Sequence, residues 1–222
     1  MDKVFTCFDN NYFNSYGISW LASLRELGKY TGPVYAASFE CLSTHIVEKL
    51  AKENFFVIDC HNKPKTRTSA FEVFSLEAGN FAYWDIDGYF LNSIESMQIE
   101  NKLLFTKDSG FVAGNLNSWK TVSEYNRLNN FCGFKQDLNV HKYFPNSVDF
   151  LNSTWNHCTA NRGIPADTIF VHFAGEIKNI STATRDGDIS FVVKYPEIHK
   201  AWTTKFHAST AKKIILRKAK NE

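Results

Sequence analysis

Phe81-Ala82-Tyr83-Trp84-Asp85-Ile86-Asp87-Gly88 reads as an apolar strand that stops on two carboxylates one residue apart. Residues i and i+2 of a strand point to the same side, so Asp85 and Asp87 can converge just past its C-terminal end. Two converging carboxylates repel unless a cation sits between them. Hard oxygen ligands of this kind suit Mg²⁺ or Mn²⁺. The plain structural alternative is a solvated strand end or a cap for a following helix.

Upstream of this strand, short apolar runs alternate with helix-period segments. Strands are predicted over 3–8, 34–39 and 55–60, the second one following the Thr31-Gly32-Pro33 turn signal. Helices are predicted over 16–27, 42–52 and 70–78. Three βα steps feeding a fourth strand indicate a parallel, twisted α/β sheet with right-handed crossovers. In such sheets ligands bind beyond the carboxyl ends of the strands, where Asp9, Asp85 and Asp87 all fall. Downstream, strands are expected at 102–105, 110–116, 148–151 and 168–173, with helices over 119–130 and 136–144. A basic, mostly helical tail follows from about Tyr195.

With 222 residues, 44% hydrophobic and 22% charged, the chain has enough apolar material for one large domain with a real core. A net charge of +2 is too mild to point to nucleic acid. Cys7, Cys41, Cys60, Cys132 and Cys158 lack CxxC or zinc-type spacing, so buried or half-buried thiols in a reducing compartment are expected. The first residues run directly into a strand with no basic-then-apolar leader, and no apolar run approaches the ~20 residues of a membrane span. An intracellular protein is expected.

Three further segments carry chemistry-bearing residues. In His172-Phe-Ala-Gly175-Glu-Ile-Lys178, the imidazole is a borderline metal ligand, Gly175 permits close backbone approach, and Lys178 offers a point charge to phosphate. The bland counterpart is a satisfied buried histidine beside a surface lysine. Asp9-Asn10-Asn11-Tyr12 can read a base edge with its polar groups and stack with its ring. It can equally be a turn and helix cap. Phe134-Lys135-Gln136-Asp137-Leu138-Asn139 is a polar cluster opening a helix, and 150–156 taken alone resembles loop and cap residues.

In this order, over roughly residues 1–180, the segments resemble retaining GT-A-fold glycosyltransferases of glycosyltransferase family 8, the group that contains bacterial lipooligosaccharide galactosyltransferases and glycogenin. The opening through Tyr12 is similar to the family's uridine-binding start, and Tyr83-Trp-Asp-Ile-Asp87 to its DxD strand. Ser109-Gly-Phe-Val-Ala-Gly114 resembles its F-N-A-G segment. Lys135-Gln-Asp-Leu-Asn139 resembles D-Q-D-x-x-N, and Asn156 sits where the family has Y-N. His172-x-x-Gly175-x-x-Lys178 matches H-x-x-G-x-x-K. The chain departs from the pattern at Val112 (family Asn), Lys135 (family Asp) and Asn179-Ile180 (family Pro-Trp). Arg67 lies near the family's arginine upstream of DxD.

The resemblance implies a GT-A, Rossmann-like, mixed and mostly parallel sheet flanked by helices. It implies a catalytic domain over 1–185 and a helical, basic tail over 186–222. It also implies a UDP-sugar donor and a glycan or lipid-linked acceptor, with Mn²⁺ or Mg²⁺ held by Asp85, Asp87 and His172. Asp9, Asn11 and Tyr12 would grip the uracil. Lys178 would face the phosphates, and Arg67, Ile86 and Gly175 would also contact the donor. Gln136 and Asp137 are the implied catalytic residues, with Gln136 on the reacting face of the anomeric carbon. Such a family role suggests a cytoplasmic enzyme with weak peripheral membrane association through its tail. Two rival readings remain open. A strand ending Asp-Ile-Asp-Gly also resembles the nucleophile motif of haloacid-dehalogenase phosphatases, although Tyr89 stands where they have threonine. A non-catalytic GT-A sugar-nucleotide-binding module is motivated by Val112 and Lys135.

Overall fold

The computed structural model describes residues 1–65, 67–74, 79–99, 102–106, 110–115, 117, 145–146, 148–158 and 165–172. In chain order the strands are β1 (Lys3–Phe8), β2 (Val34–Ser38), β3 (Phe55–Asp59), β4 (Asn80–Trp84) and β5 (Gly88–Phe90). Then come β6 (Leu103–Phe105), β7 (Phe111–Asn115), β8 (Val148–Phe150), β9 (His157–Cys158) and β10 (Phe170–His172). The helices are α1 (Asn10–Tyr12), α2 (Ile18–Glu26), α3 (Thr44–Lys52) and α4 (Arg67–Phe74), with a π-helical turn at Phe13–Gly17 ahead of α2. Among the described residues no helix is long and apolar enough to cross a membrane.

The chain divides into two compact units. The first comprises Met1–Asn11, Thr31–Ile86 and Ser96–Asn152. It holds a seven-stranded sheet in the order β3-β2-β1-β4-β7-β6-β8. The pairs β3/β2, β2/β1, β1/β4 and β6/β8 are parallel, while β7 runs antiparallel to both neighbours. This is the mixed, mostly parallel α/β sheet expected. Val4, Phe5, Thr6 and Phe8 of β1 are all buried, the near-continuous burial of a central parallel strand covered on both faces. Phe5 stacks on Phe74 of α4 with ring centroids 4.2 Å apart. Ala70, Phe81, Tyr83, Phe105 and Val112 belong to the same core.

The second unit contains Tyr12–Tyr30, Asp87–Glu95 and the described residues from Ser153 onward. Its small sheet has the order β5-β10-β9. Trp20 of α2 meets Phe90 edge-on at 5.4 Å, and Phe90 packs on Phe170 at 4.8 Å. The Ser23 hydroxyl accepts the Phe90 N–H at 3.1 Å, so α2 partners a strand donor directly.

Several expectations shift in detail. Helical structure begins at Asn10 rather than Tyr16, and α4 starts at Arg67 rather than Ala70. β5 and β9 are additions to the expected set. Cys41 is exposed rather than buried or half-buried. The helices expected over 119–130 and 136–144, the tail, and the division at 185/186 lie outside the described residues.

Candidate metal centre

β4 delivers the Asp85 carboxylate with a hydroxyl of the same strand already aimed at it. Tyr83 and Asp85 share one side of the strand, and the Tyr83 hydroxyl donates a short hydrogen bond to Asp85 Oδ1. That same hydroxyl lies 3.2 Å from Cys7 Sγ on neighbouring β1. The Asp85 N–H donates to the Gly110 carbonyl at 2.8 Å, so backbone pairing runs past the end of β4 and fixes the Asp85 peptide. Tyr83 is fully buried while Asp85 keeps partial access to solvent. Opposite Tyr83 in the ladder stands Val112, buried in the core. The departure from the family's asparagine therefore places a methyl-bearing side chain where the surroundings are apolar. Gly114 on the same strand has no room for a side chain, since a Cβ there would come within 2.6 Å of Leu103 Cδ2.

Asp87 is placed by different means. It is only 5% exposed, and its Oδ1 lies 3.3 Å from Nε2 of His172, which is 3% exposed. The contact is built by antiparallel pairing of β5 with β10, in which Gly88 faces His172. Glycine is obligatory there: a Cβ on Gly88 would sit 2.2 Å from the Val171 carbonyl oxygen and 2.4 Å from the Phe170 ring. The π-helical turn brings Tyr16 into the field of Asp87. Burial first, and the Asp87 charge second, push the Tyr16 hydroxyl well above the usual tyrosine range. Tyr89 is raised too, by burial and then by Tyr16, with a Ser19 hydrogen bond pulling the other way. Both phenols therefore stay neutral, and π-turns of this kind recur at functional sites.

Asp87 Oδ1 and His172 Nε2 thus form a close pair of ligand-type atoms, and Asp85 stands two residues earlier in the chain, directly after β4. A carboxylate and an imidazole with so little solvent suit a divalent cation, because buried charge is costly unless paired or metal-bound. Ile86, between the two carboxylates, is buried. Asp9 and Asp85 both lie just past the C-terminal ends of parallel neighbours, β1 and β4. Asn11 is exposed, and Asp9 and Tyr12 are half-buried. The backbone around Asp9 is steadied by Glu40, whose Oε2 accepts the Asn10 N–H at 3.1 Å and whose Oε1 pairs with Lys65.

Arg67 begins α4, but its side chain is not among the described ones. Gln136, Asp137, Gly175, Lys178 and Lys135 lie outside the described residues. Asn156 is buried at the end of a 3₁₀ turn, its N–H donating to the Ser153 carbonyl at 3.2 Å. Three residues that motif reading passes over are Tyr83, Tyr16 and Gly88. Tyr83 carries a usable signal, being two residues before Asp85. Gly88 and Tyr16 act through partners distant in sequence.

No protein-family model and no curated protein sequence matches the chain. Solved structures do. The apo form of the glycosyltransferase GlyE from Streptococcus pneumoniae TIGR4 superposes with a TM-score of 0.61 at 11% identity, over 79% of this chain. The chain spans 55% of the length of that GlyE structure. The galactosyltransferase LgtC, solved with donor and acceptor sugar analogs, gives a TM-score of 0.53 at 14% identity, covering 78% of this chain and 87% of LgtC. The bifunctional glycosyltransferase WbbM gives 0.51 at 14% identity, covering 90% of this chain and 51% of its own. The fold is thus the GT-A, Rossmann-like α/β fold of these glycosyltransferases.

Proposed function

We propose that the chain is a metal-dependent glycosyltransferase that moves a sugar from a UDP-sugar to a glycan or lipid-linked acceptor with retention of anomeric configuration. The observation that carries this reading is the buried Asp87–His172 pair, with Asp85 two residues earlier in the chain directly after β4, in a fold shared with glycosyltransferases. These three residues would hold Mn²⁺ or Mg²⁺. Such a cation supplies positive charge for a departing diphosphate. Tyr83 would keep Asp85 in one rotamer, and Gly88 would let His172 close on Asp87.

The remaining roles follow the resemblance. Asp9, Asn11 and Tyr12 bind the uracil, and Ile86, Arg67, Gly175 and Lys178 contact the donor, with Lys178 facing its phosphates. Gln136, with Asp137 beside it, lies at the anomeric carbon. An amide is a poor nucleophile, so Gln136 stabilises an oxocarbenium-like centre and transfer proceeds from the front face. The structure of LgtC with donor and acceptor sugar analogs supports the choice of partners. Residues 1–185 form the catalytic domain in this reading. The tail over 186–222 gives a cytoplasmic protein a weak peripheral hold on membrane, which co-sedimentation with liposomes before and after truncation at Tyr195 tests.

The deciding experiment is UDP release from a panel of UDP-sugars with Mn²⁺, beside a phosphatase assay. UDP release abolished by Asp87→Ala supports the reading. Phosphate release alone would replace it with the haloacid-dehalogenase chemistry, and a thermal shift with UDP but no turnover would leave a binding module. An inverted product anomer by NMR would overturn retention.

A further inference from the structure

A second set of ligand-type side chains gathers at the far side of the large sheet, and none of the roles above uses it. β2 and β3 are parallel neighbours in register, with Ser38 beside Asp59 at their C-terminal ends. The Cys60 N–H donates to the Ser38 carbonyl at 2.7 Å, which carries the pairing one residue further. The Ser38 hydroxyl then donates to the Glu40 carbonyl at 2.5 Å, turning the chain so that Cys41 emerges over the same edge. On the β3 side, the His61 N–H donates to Asp59 Oδ1 at 3.0 Å, and a Lys63 N–H bond to the Cys60 carbonyl at 2.9 Å closes the turn. His61 Nδ1 faces both Asp59 oxygens, at 2.7 and 2.8 Å. One ligand atom each from Cys41, Asp59 and His61 lies within 4.8 Å of the others, and all three residues are exposed.

From this arrangement we infer a second, surface cation site of the Zn²⁺ class, with Cys41 Sγ, an Asp59 oxygen and a His61 ring nitrogen as its protein ligands. The donor set excludes Mg²⁺ and Ca²⁺, which take oxygen, and matches the thiolate, imidazole and carboxylate ligands of Zn²⁺. Zn–ligand distances of about 2.0–2.3 Å in a tetrahedron put ligand atoms about 3.3–3.8 Å apart. Exposed side chains reach that spacing by small rotations. Between Nδ1 and the carboxylate, the ion takes the place of the shared proton. Three protein ligands leave one position for water, so the ion is exchangeable rather than the closed four-ligand centre of a structural zinc. Cys41 directly follows Glu40, which accepts the Asn10 N–H. The ion therefore also pins the backbone beside Asp9.

Cobalt tests this directly in the full chain under reducing conditions. Titration with Co²⁺ alone should raise a thiolate-to-cobalt charge-transfer band in the near ultraviolet, saturating at one equivalent and bleached by Zn²⁺. Cys41→Ser should abolish the band, and His61→Ala should weaken Co²⁺ binding by more than about tenfold, the least that losing even an outer-shell partner costs. Asp87→Asn should leave the band intact, which separates this site from the carboxylate-histidine group and from the glycosyltransferase reading. Both surface variants, Cys41→Ser and His61→Ala, should keep the wild-type circular dichroism. Absence of the band, or its persistence in Cys41→Ser, would overturn the assignment.

Discussion

Among the described residues, two groups of ligand-type side chains lie near strand ends, and they differ in how much water they keep. Asp87 and His172 are almost wholly withdrawn from solvent, whereas Cys41, Asp59 and His61 are all exposed. In the buried group the backbone does the assembling: a strand pair, a glycine without room for a Cβ, and a fully buried tyrosine hold the carboxylates. In the exposed group, a local Asp59–His61 turn and one flexible thiol suffice. Burial makes the first group dependent on its cation, because uncompensated charge in a dry site is expensive. Exposure makes the second group's ion optional for folding, since water already solvates its members.

The largest expected difference is in turnover. Asp87→Ala should cut UDP release by about 10³-fold, the scale of losing one well-placed electrostatic group. Activity left intact would sink the role given to the buried group. Next comes stability. Gly88→Ala forces a Cβ against the Val171 carbonyl, where only 2.2 Å is available. Overpacking of this sort costs about 1–3 kcal/mol, and the upper end is expected because backbone must move. His61→Ala on the exposed side should stay within about 0.5 kcal/mol. Urea unfolding of the two variants measures the contrast, and equal losses would break it.

Much of this was legible in the amino-acid sequence, for reasons that also explain what was not. β1, β2 and β3 fall within a residue of their expected bounds, because each is a short apolar run closed by a polar break. The Asp85/Asp87 pair is readable from period two alone, and His172 from the motif it opens. Tyr83 obeys the same period and was readable in principle. β5 spans three residues and β9 two, too short for any periodic signal, and both exist only because β10 pairs with them. The helical start at Asn10 is hidden because Asp9-Asn10-Asn11 has the composition of a turn. Cys41, Asp59 and His61 share no motif spacing. Asp59 and His61 meet in a local turn, but only the β2/β3 register brings Cys41 to them, and no local pattern encodes that register.

Smaller effects probe how each carboxylate is held. Tyr83→Phe keeps the ring in the core and removes only the hydroxyl that reaches Asp85 and Cys7. A stability loss of about 1 kcal/mol is expected, together with a fall in Mn²⁺ affinity of about tenfold, as for other outer-shell partners. Calorimetric titration with Mn²⁺ reads the second effect, and unchanged affinity would detach Tyr83 from the centre.

The smallest effect belongs to the exposed side, at Glu40. Its hydrogen bond with Lys65 first, and the Asn10 N–H second, hold its carboxyl below the ordinary 4.5. A depressed carboxylate contributes stability that is present above its unfolded pKa and lost as pH falls through its folded one. Urea midpoints should therefore drop slightly more steeply on acidification below about pH 4.5 in the wild type than in Glu40→Gln. Because the pair is exposed, molar salt should erase that difference, with the Debye length shrinking to about 3 Å. The Gly88→Ala loss, which comes from backbone crowding, should ignore salt. A salt-proof acid limb at Glu40 would mean that this edge of the sheet is drier than its exposure indicates, and the contrast between the two groups would narrow accordingly.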